Sequence, residues 1–265
     1  MAKREWQRKR PARRHEDRRI GRDRAPRRDA GDAVVLYGWH TVTAALKNPA
    51  RRINRLLVTE NALRRLADED IAPAVTPEVM RPDALAARLT PDAVHQGLIA
   101  EADPLPSPAI EELPDSGIVL VLDQITDPHN VGAILRTAAG FAVDAVITTA
   151  RHSPEATGVL AKSASGALEY VPIVTVQNLA RALATLRERG YFLVGLDSTG
   201  DADLGDAALR APLALVLGAE GKGLRQLTRA TCDQVARLDL PGRIKSLNVS
   251  NAAALALYVV TKRTG

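Results

Sequence analysis

The chain has 265 residues, 46% of them hydrophobic and 3% aromatic, so a core of Val, Leu, Ile and Ala is available to one large domain or two small ones. Gly and Pro are not in excess, which excludes a fibrous chain, and the single cysteine, Cys232, excludes an internal disulfide and a cysteine-based zinc site. The net charge of +5 is unevenly placed, because residues 1–30 hold 13 Lys/Arg against 5 Asp/Glu, a net of +8, which leaves −3 for residues 31–265.

Residues 1–32 have almost no apolar side chains and read as a disordered basic tail. The tail has no apolar stretch of the secretory kind, the chain has no apolar run long enough to span a membrane, and a lone cysteine fits a reducing compartment. A cytoplasmic protein without a membrane association is therefore expected. Two readings of the tail stay open. It is a tether that gains RNA affinity by counterion release, or a solubilising extension.

Residues 33–103 read as a small α/β domain, with helices over 39–47, 61–67 and 82–88 and strands over 53–59 and 97–102. Residues 104–116 are proline-rich without helical periodicity and read as a semi-rigid linker. Residues 117–265 alternate strands and helices. Strands are predicted over 117–123, 145–148, 171–176, 191–196, 212–217 and 234–238, and helices over 130–140, 154–161, 179–188, 224–229 and 248–262. The run GIVLVLD at 117–123 is apolar throughout, as in a strand buried on both faces. Such alternation predicts a mainly parallel sheet covered by helices on both sides. Ligands of these sheets bind beyond the carboxyl ends of the strands, which nominates the loops 124–129, 197–203, 218–223 and 239–247.

Three segments concentrate unusual residues. The first, DPHNVGAILR over 127–136, follows a buried strand and opens a helix. Asn130 and Arg136 are its candidates for substrate contact, against the plainer reading of an N-cap and a surface charge. The second, LGAEGKGL over 217–224, has three glycines in six residues after an apolar strand. The glycines let backbone approach a flat ligand closely, with Glu220 as a lone carboxylate. Leu224 stands where a phosphate-binding loop would need Ser or Thr, so a nucleotide hydrolase is disfavoured. The third, LPGRIKSLNVSNAAA over 240–254, offers more hydrogen-bonding side chains than one helix cap uses, among them Ser246 and Asn248. Cys232 reads as a packed apolar residue, and His95, His129 and His152 are too scattered to hold a metal. For His129 a structural hydrogen bond is favoured over substrate contact.

Taken in this order, N-x-G-x-x-x-R, L-G-x-E-G-x-G and S-L-N-V-S-N-A-A-A resemble the SpoU (TrmH) family of RNA ribose 2′-O-methyltransferases. Tyr37-Gly38-Trp39-His40 and His95-Gln96-Gly97 resemble the ends of the small substrate-binding domain in the branch that modifies a guanosine of 23S ribosomal RNA. The resemblance implies an α/β fold with a C-terminal trefoil knot, S-adenosylmethionine as methyl donor, a homodimer, and no metal. It places Gly218, Leu238 and Leu247 in the cofactor pocket, and Asn130, Arg136, Glu220, Ser246 and Asn248 in the active centre. A transfer RNA substrate, or a non-catalytic RNA-binding role in ribosome assembly, stands as the alternative.

Overall fold

The computed structural model describes residues 33–150 and 158–264. The basic tail and the first part of the helix expected over 154–161 lie outside the described residues.

The small lobe runs β1 (Val34–Tyr37), α1 (Trp39–Lys47), β2 (Ile53–Val58), α2 (Glu60–Asp68), β3 (Glu78–Val79), α3 (Pro82–Ala86) and β4 (Leu98–Ala102). Its four strands lie in the order β1-β4-β2-β3, with β4 antiparallel to both β1 and β2 and β3 parallel to β2. Neither β1 nor β3 is among the predicted strands, because four and two residues are too few for periodicity to register. Leu36, Leu56, Leu66 and Leu98 close the core around Trp39. Helix α2 starts on Thr59, whose hydroxyl accepts the Ala62 N–H, so α2 gains the cap its sequence offers.

The proline-rich stretch expected as a semi-rigid linker packs its end onto the large lobe. Its end folds into a 3-10 turn, Ile110–Glu112, and buries Ile110 and Leu113 against Leu183, Leu186 and Tyr191. The Arg189 guanidinium donates to the carbonyls of Ile110 and Leu113 and ties the turn down. Two apolar residues among prolines were the signal in the sequence, and their burial outweighs the freedom that the spacing suggests.

The large lobe follows with β5 (Ile118–Asp123), α4 (Pro128–Gly140), β6 (Ala145–Thr149), α5 (Gly158–Ala164), β7 (Ile173–Val176) and α6 (Leu179–Glu188). It continues with β8 (Phe192–Leu196), β9 (Ala202–Asp203), β10 (Leu213–Gly218), α7 (Gln226–Thr231), β11 (Gln234–Arg237) and α8 (Val249–Thr264). The seven strands order as β7-β6-β5-β10-β8-β11-β9, and every pairing is parallel. Along β5 the side chains alternate between the two faces. Leu120 and Leu122 join the core beneath α4, α5 and α8, while Val119 and Val121 join the one beneath α6. This two-sided burial is what the unbroken apolar run required. Strand β10 slots between β5 and β8, so the chain reverses its winding direction there. In an open parallel sheet such a switch point opens a crevice at the carboxyl ends of the strands.

The two lobes are joined by a buried ion pair. Arg51 contacts Glu169 at 2.7 Å with side chains only 4% and 2% exposed. Glu169 also accepts from the Asn48 amide, and Arg51 donates to the Asp103 carbonyl, so both charges are fully hydrogen-bonded. Removing one partner strands the other in a dry site. Glu169→Ala is therefore expected to lower unfolding stability by about 3 kcal/mol, and Glu169→Gln by less. Urea denaturation checks this, and a loss below about 1 kcal/mol for Glu169→Ala would show that the pair is not what joins the lobes.

Candidate active site

All strands of the large sheet point the same way, so the loops after β5, β8, β10 and β11 share one edge. The register puts Gly218, the last residue of β10, beside Asp123, the last residue of β5. Asp123 is buried, and its carboxylate accepts from the backbone N–H of Arg225 at 3.1 Å and from its guanidinium at 2.6 Å. On the other side of β10, Asp197 follows β8 and accepts the Leu224 N–H at 3.1 Å. Burial acts to raise the Asp197 carboxyl. Hydrogen bonds from Thr199 and Leu224, with the charge of Arg229, outweigh it and hold the group below its ordinary value. Two aspartates thus grip the chain where it leaves the glycine turn. Sequence reasoning missed both. The signal was a carboxylate ending an apolar run, which demands a partner once the run is buried.

The turn itself is tight. Ala219 and Gly223 form a bridge, and the Gly223 N–H donates to the Ala219 carbonyl at 2.9 Å. A Cβ on Gly218 would sit 2.2 Å from the Gly223 carbonyl carbon, so only glycine fits there. Glu220, at the tip, is exposed and makes no hydrogen bond or ion pair with another described residue.

Helix α4 begins two residues earlier than predicted. Pro128 takes its first position and Asp127 caps it, accepting the His129 N–H at 3.0 Å. The capping reading of Asn130 is thereby removed, since Asp127 does that work. Asn130 instead accepts a hydrogen bond from the Asn248 amide at 3.0 Å, across 118 positions of sequence. Asn248 also caps α8, its Oδ1 accepting from the Ser250 N–H at 2.9 Å and hydroxyl at 2.6 Å. One side chain therefore serves as cap and as bridge between the first and third segments. His129 lies 3.2 Å from the Ser163 hydroxyl through Nδ1, the structural bond favoured for it. Arg136 lies about 9 Å further along α4 at 1.5 Å per residue. It is exposed and pairs with no other described residue.

Leu238, directly after β11, and Leu247, in the third segment, are half-buried, Leu238 against the large core, and Ser246 is exposed. The Lys245 ammonium donates to the Leu240 carbonyl at 2.6 Å and folds the loop back on itself. Helix α8 then packs against α4. The structure brings together Asn130 with Asn248, and Gly218 with the end of β5. Among the described residues, Arg136, Glu220 and Ser246 share no hydrogen bond or ion pair with one another. The Thr149 hydroxyl, buried at the end of β6, has no hydrogen-bond partner among the described residues.

No group of three His, Cys, Asp or Glu among the described residues is arranged to hold a metal ion, and no described helix is long and apolar enough to cross a membrane. Burial, then the charges of Asp233 and Asp123, push the Cys232 thiol up to about 12. It remains a thiol that donates to the Thr228 carbonyl at 3.3 Å, not a nucleophile.

Comparison with known proteins bears on this edge directly. Residues 117–258 match the model of the SpoU rRNA methylase family, and residues 35–108 match that of the RNA 2′-O ribose methyltransferase substrate-binding domain. The 23S rRNA (guanosine-2′-O-)-methyltransferase RlmB of Ralstonia nicotianae is 39% identical over 86% of this chain and 95% of its own length. Its counterpart in Pseudomonas aeruginosa is 38% identical over 86% and 96%. Among solved structures, a TrmH-family protein from Porphyromonas gingivalis superposes with a TM-score of 0.74 at 28% identity, covering 88% of this chain and 91% of that one.

Proposed function

This chain belongs to the SpoU rRNA methylase family, and on that premise we propose that it methylates the ribose 2′-hydroxyl of a guanosine in 23S ribosomal RNA, with S-adenosylmethionine as methyl donor. The observation that carries the reading is the Asn130–Asn248 hydrogen bond at 3.0 Å. It joins the first and third motifs at the edge where β10 also delivers the second.

The residues fit the donor. Gly218 lets the turn close tightly at the end of β10, because a Cβ there would meet the Gly223 peptide, and the half-buried Leu238 and Leu247 offer apolar flanks to a flat ring. When bound, the donor supplies the methyl carbon and a good leaving group. The chain must align the hydroxyl with that carbon and ease loss of its proton, and alignment alone can supply several kcal/mol. Arg136 stabilises the developing alkoxide and binds the neighbouring phosphate. A free guanidinium, with a pKa of about 12.5–13.8, is a poor base, so Arg136 acts as a cation. Asn130 and Asn248 fix each other's amides and hold the floor of the site. Glu220 and Ser246, both exposed, contact substrate.

These assignments separate two variants. Asn248→Ala removes a cap and a bridge, and is expected to cost about 1 kcal/mol of stability as well as activity. Glu220→Ala removes an unpaired exposed carboxylate, and is expected to lower activity with a melting temperature within about 1 °C of the wild type. A Glu220→Ala enzyme that melts early and loses activity in proportion would make Glu220 structural.

The C-terminal trefoil knot belongs to the same proposal. The chain leaves β11 beyond β8 and returns to lay α8 on α4, next to β5. Electron density through 239–248 decides whether it threads. The homodimer is proposed through α8, where Leu255 and Tyr258 are about half exposed, one turn apart. Sedimentation velocity is expected to give a dimer mass, and a monomer at all concentrations contradicts it.

The test of function is a map of ribose methylation across total RNA from cells lacking this protein. One 23S guanosine is expected to lose its 2′-O-methyl group and to regain it with the wild type but not with Arg136→Ala. Loss at a transfer RNA position, or no loss anywhere, contradicts the reading.

A further inference from the structure

The small lobe contains a cavity of about 290 Å³, lined by Trp39, Asn61, Arg65, His95 and Gln96 among others. Four parts of the lobe build it: the start of α1, the first turns of α2 after Thr59, Pro82 at the start of α3, and the loop 95–97 that leads into β4. That loop is held in an unusual shape. Gln96 and Gly97 both have positive φ, 52° and 82°. A non-glycine residue keeps that conformation only where its neighbours over-determine it. Here they do. The Gln96 carbonyl oxygen Oε1 accepts from the Trp39 N–H at 2.9 Å and from the Lys162 ammonium at 3.0 Å. The Gly97 N–H donates to His95 Nδ1 at 3.0 Å, and a Cβ on Gly97 would meet the Thr59 hydroxyl at 2.5 Å.

These bonds fix what the cavity can offer. His95 uses Nδ1 as an acceptor, so neutral His95 carries its proton on Nε2, which is a donor. Gln96 has its oxygen engaged, which leaves its NH2 group as donor. The Asn61 amide has no partner among the described residues. Arg65 lays its guanidinium 3.7 Å over the Trp39 ring, while its Nε pairs with Glu69 at 3.0 Å. A planar cation backed by an aromatic ring is a stacking platform for a flat, electron-rich ring.

We propose that this cavity takes one unpaired nucleobase of the RNA substrate. The base lies on the Arg65–Trp39 stack and meets Asn61, His95 and Gln96 with an edge that carries acceptors, as guanine does with O6 and N7. The inference rests on the RNA-methylating reading and adds a recognition site separate from the reacting ribose. Placement supports it. Lys162 of α5 holds Gln96, and the next residue, Ser163, meets His129 beside Asn130. One helix, about 10 Å across, therefore separates the cavity from the first catalytic segment. A base held here would fix the register of the strand that presents its ribose to Arg136.

The test uses unmodified 23S rRNA transcribed in vitro and the full-length protein. Arg65→Lys keeps the charge and loses the planar face, and Asn61→Ala removes a side chain that the fold does not use. Each is expected to raise the Kd and KM for the transcript about tenfold, the scale of one stacked base. The kcat at saturating RNA, the affinity for S-adenosylmethionine and the salt dependence of RNA binding stay at wild-type values. Arg65→Lys that binds like the wild type would overturn the proposal, because lysine keeps the charge and unchanged binding means either no contact or a plain phosphate contact. A wild type that binds the transcript without methylating it sinks the substrate assignment and leaves the cavity to be judged on Kd alone. A wild type that does not bind it sinks both.

Discussion

Arg136→Ala is expected to lower turnover by about 10²–10³-fold while changing affinity for S-adenosylmethionine by less than about threefold. The size follows from the role proposed for this side chain. Proton loss from a ribose hydroxyl builds negative charge on one oxygen, and a fixed cation beside it is worth most at that moment. Arg136 is exposed on α4 and pairs with no described residue, so its charge is free for substrate and its removal costs the fold little. Arg136→Lys keeps the charge but loses the bidentate fork for the adjacent phosphate, and should fall between the two. Methyl transfer from labelled donor gives turnover, and isothermal titration gives donor affinity. Turnover like that of the wild type in Arg136→Ala contradicts the role, and a collapse of donor affinity moves Arg136 into the cofactor pocket.

Gly218→Ala is expected to have the opposite signature, a loss of donor affinity of about 10²-fold or more, near 2.7 kcal/mol. The added Cβ would stand 2.2 Å from the Gly223 carbonyl carbon and 2.5 Å from the Leu224 nitrogen. These atoms cannot step aside cheaply. Leu224 is tied to Asp197 and Arg225 to Asp123, each through backbone hydrogen bonds. Relief must come from opening the turn, which moves the peptide groups proposed to approach the donor. A melting curve separates this from unfolding, because the strand below Gly218 is paired on both sides and should hold. Donor affinity within twofold of the wild type in a folded Gly218→Ala protein would show that the turn is not part of the pocket.

The sequence was informative where one signal sufficed. GIVLVLD and LALVL announced strands buried on both faces, and the structure puts them side by side in the middle of the sheet. The three motifs stood out because they used more special residues than turns and caps need. Signals that depend on partners far away were not legible. Nothing local says that β10 enters between β5 and β8, or that Asp123 and Asp197 will grip Leu224 and Arg225 from both sides. Nothing local decided between Asn130 as a substrate contact and Asn130 as a cap, and Asp127, three residues before it, takes the cap. Two-residue strands such as β3 and β9 exist only because longer neighbours offer an edge. The docking of Ile110 and Leu113 hid in a stretch whose prolines argued for a spacer.

The account depends on three distant loops forming one methyl-donor pocket at the β5–β10 edge, and a crystal structure with S-adenosylmethionine bound addresses that directly. The donor is expected against the backbone of Gly218, between Leu238 and Leu247, with its methyl group open to the side where Arg136 and Asn130 stand. A donor bound away from those three loops, or crystals that never take it up at millimolar concentration, would contradict the account.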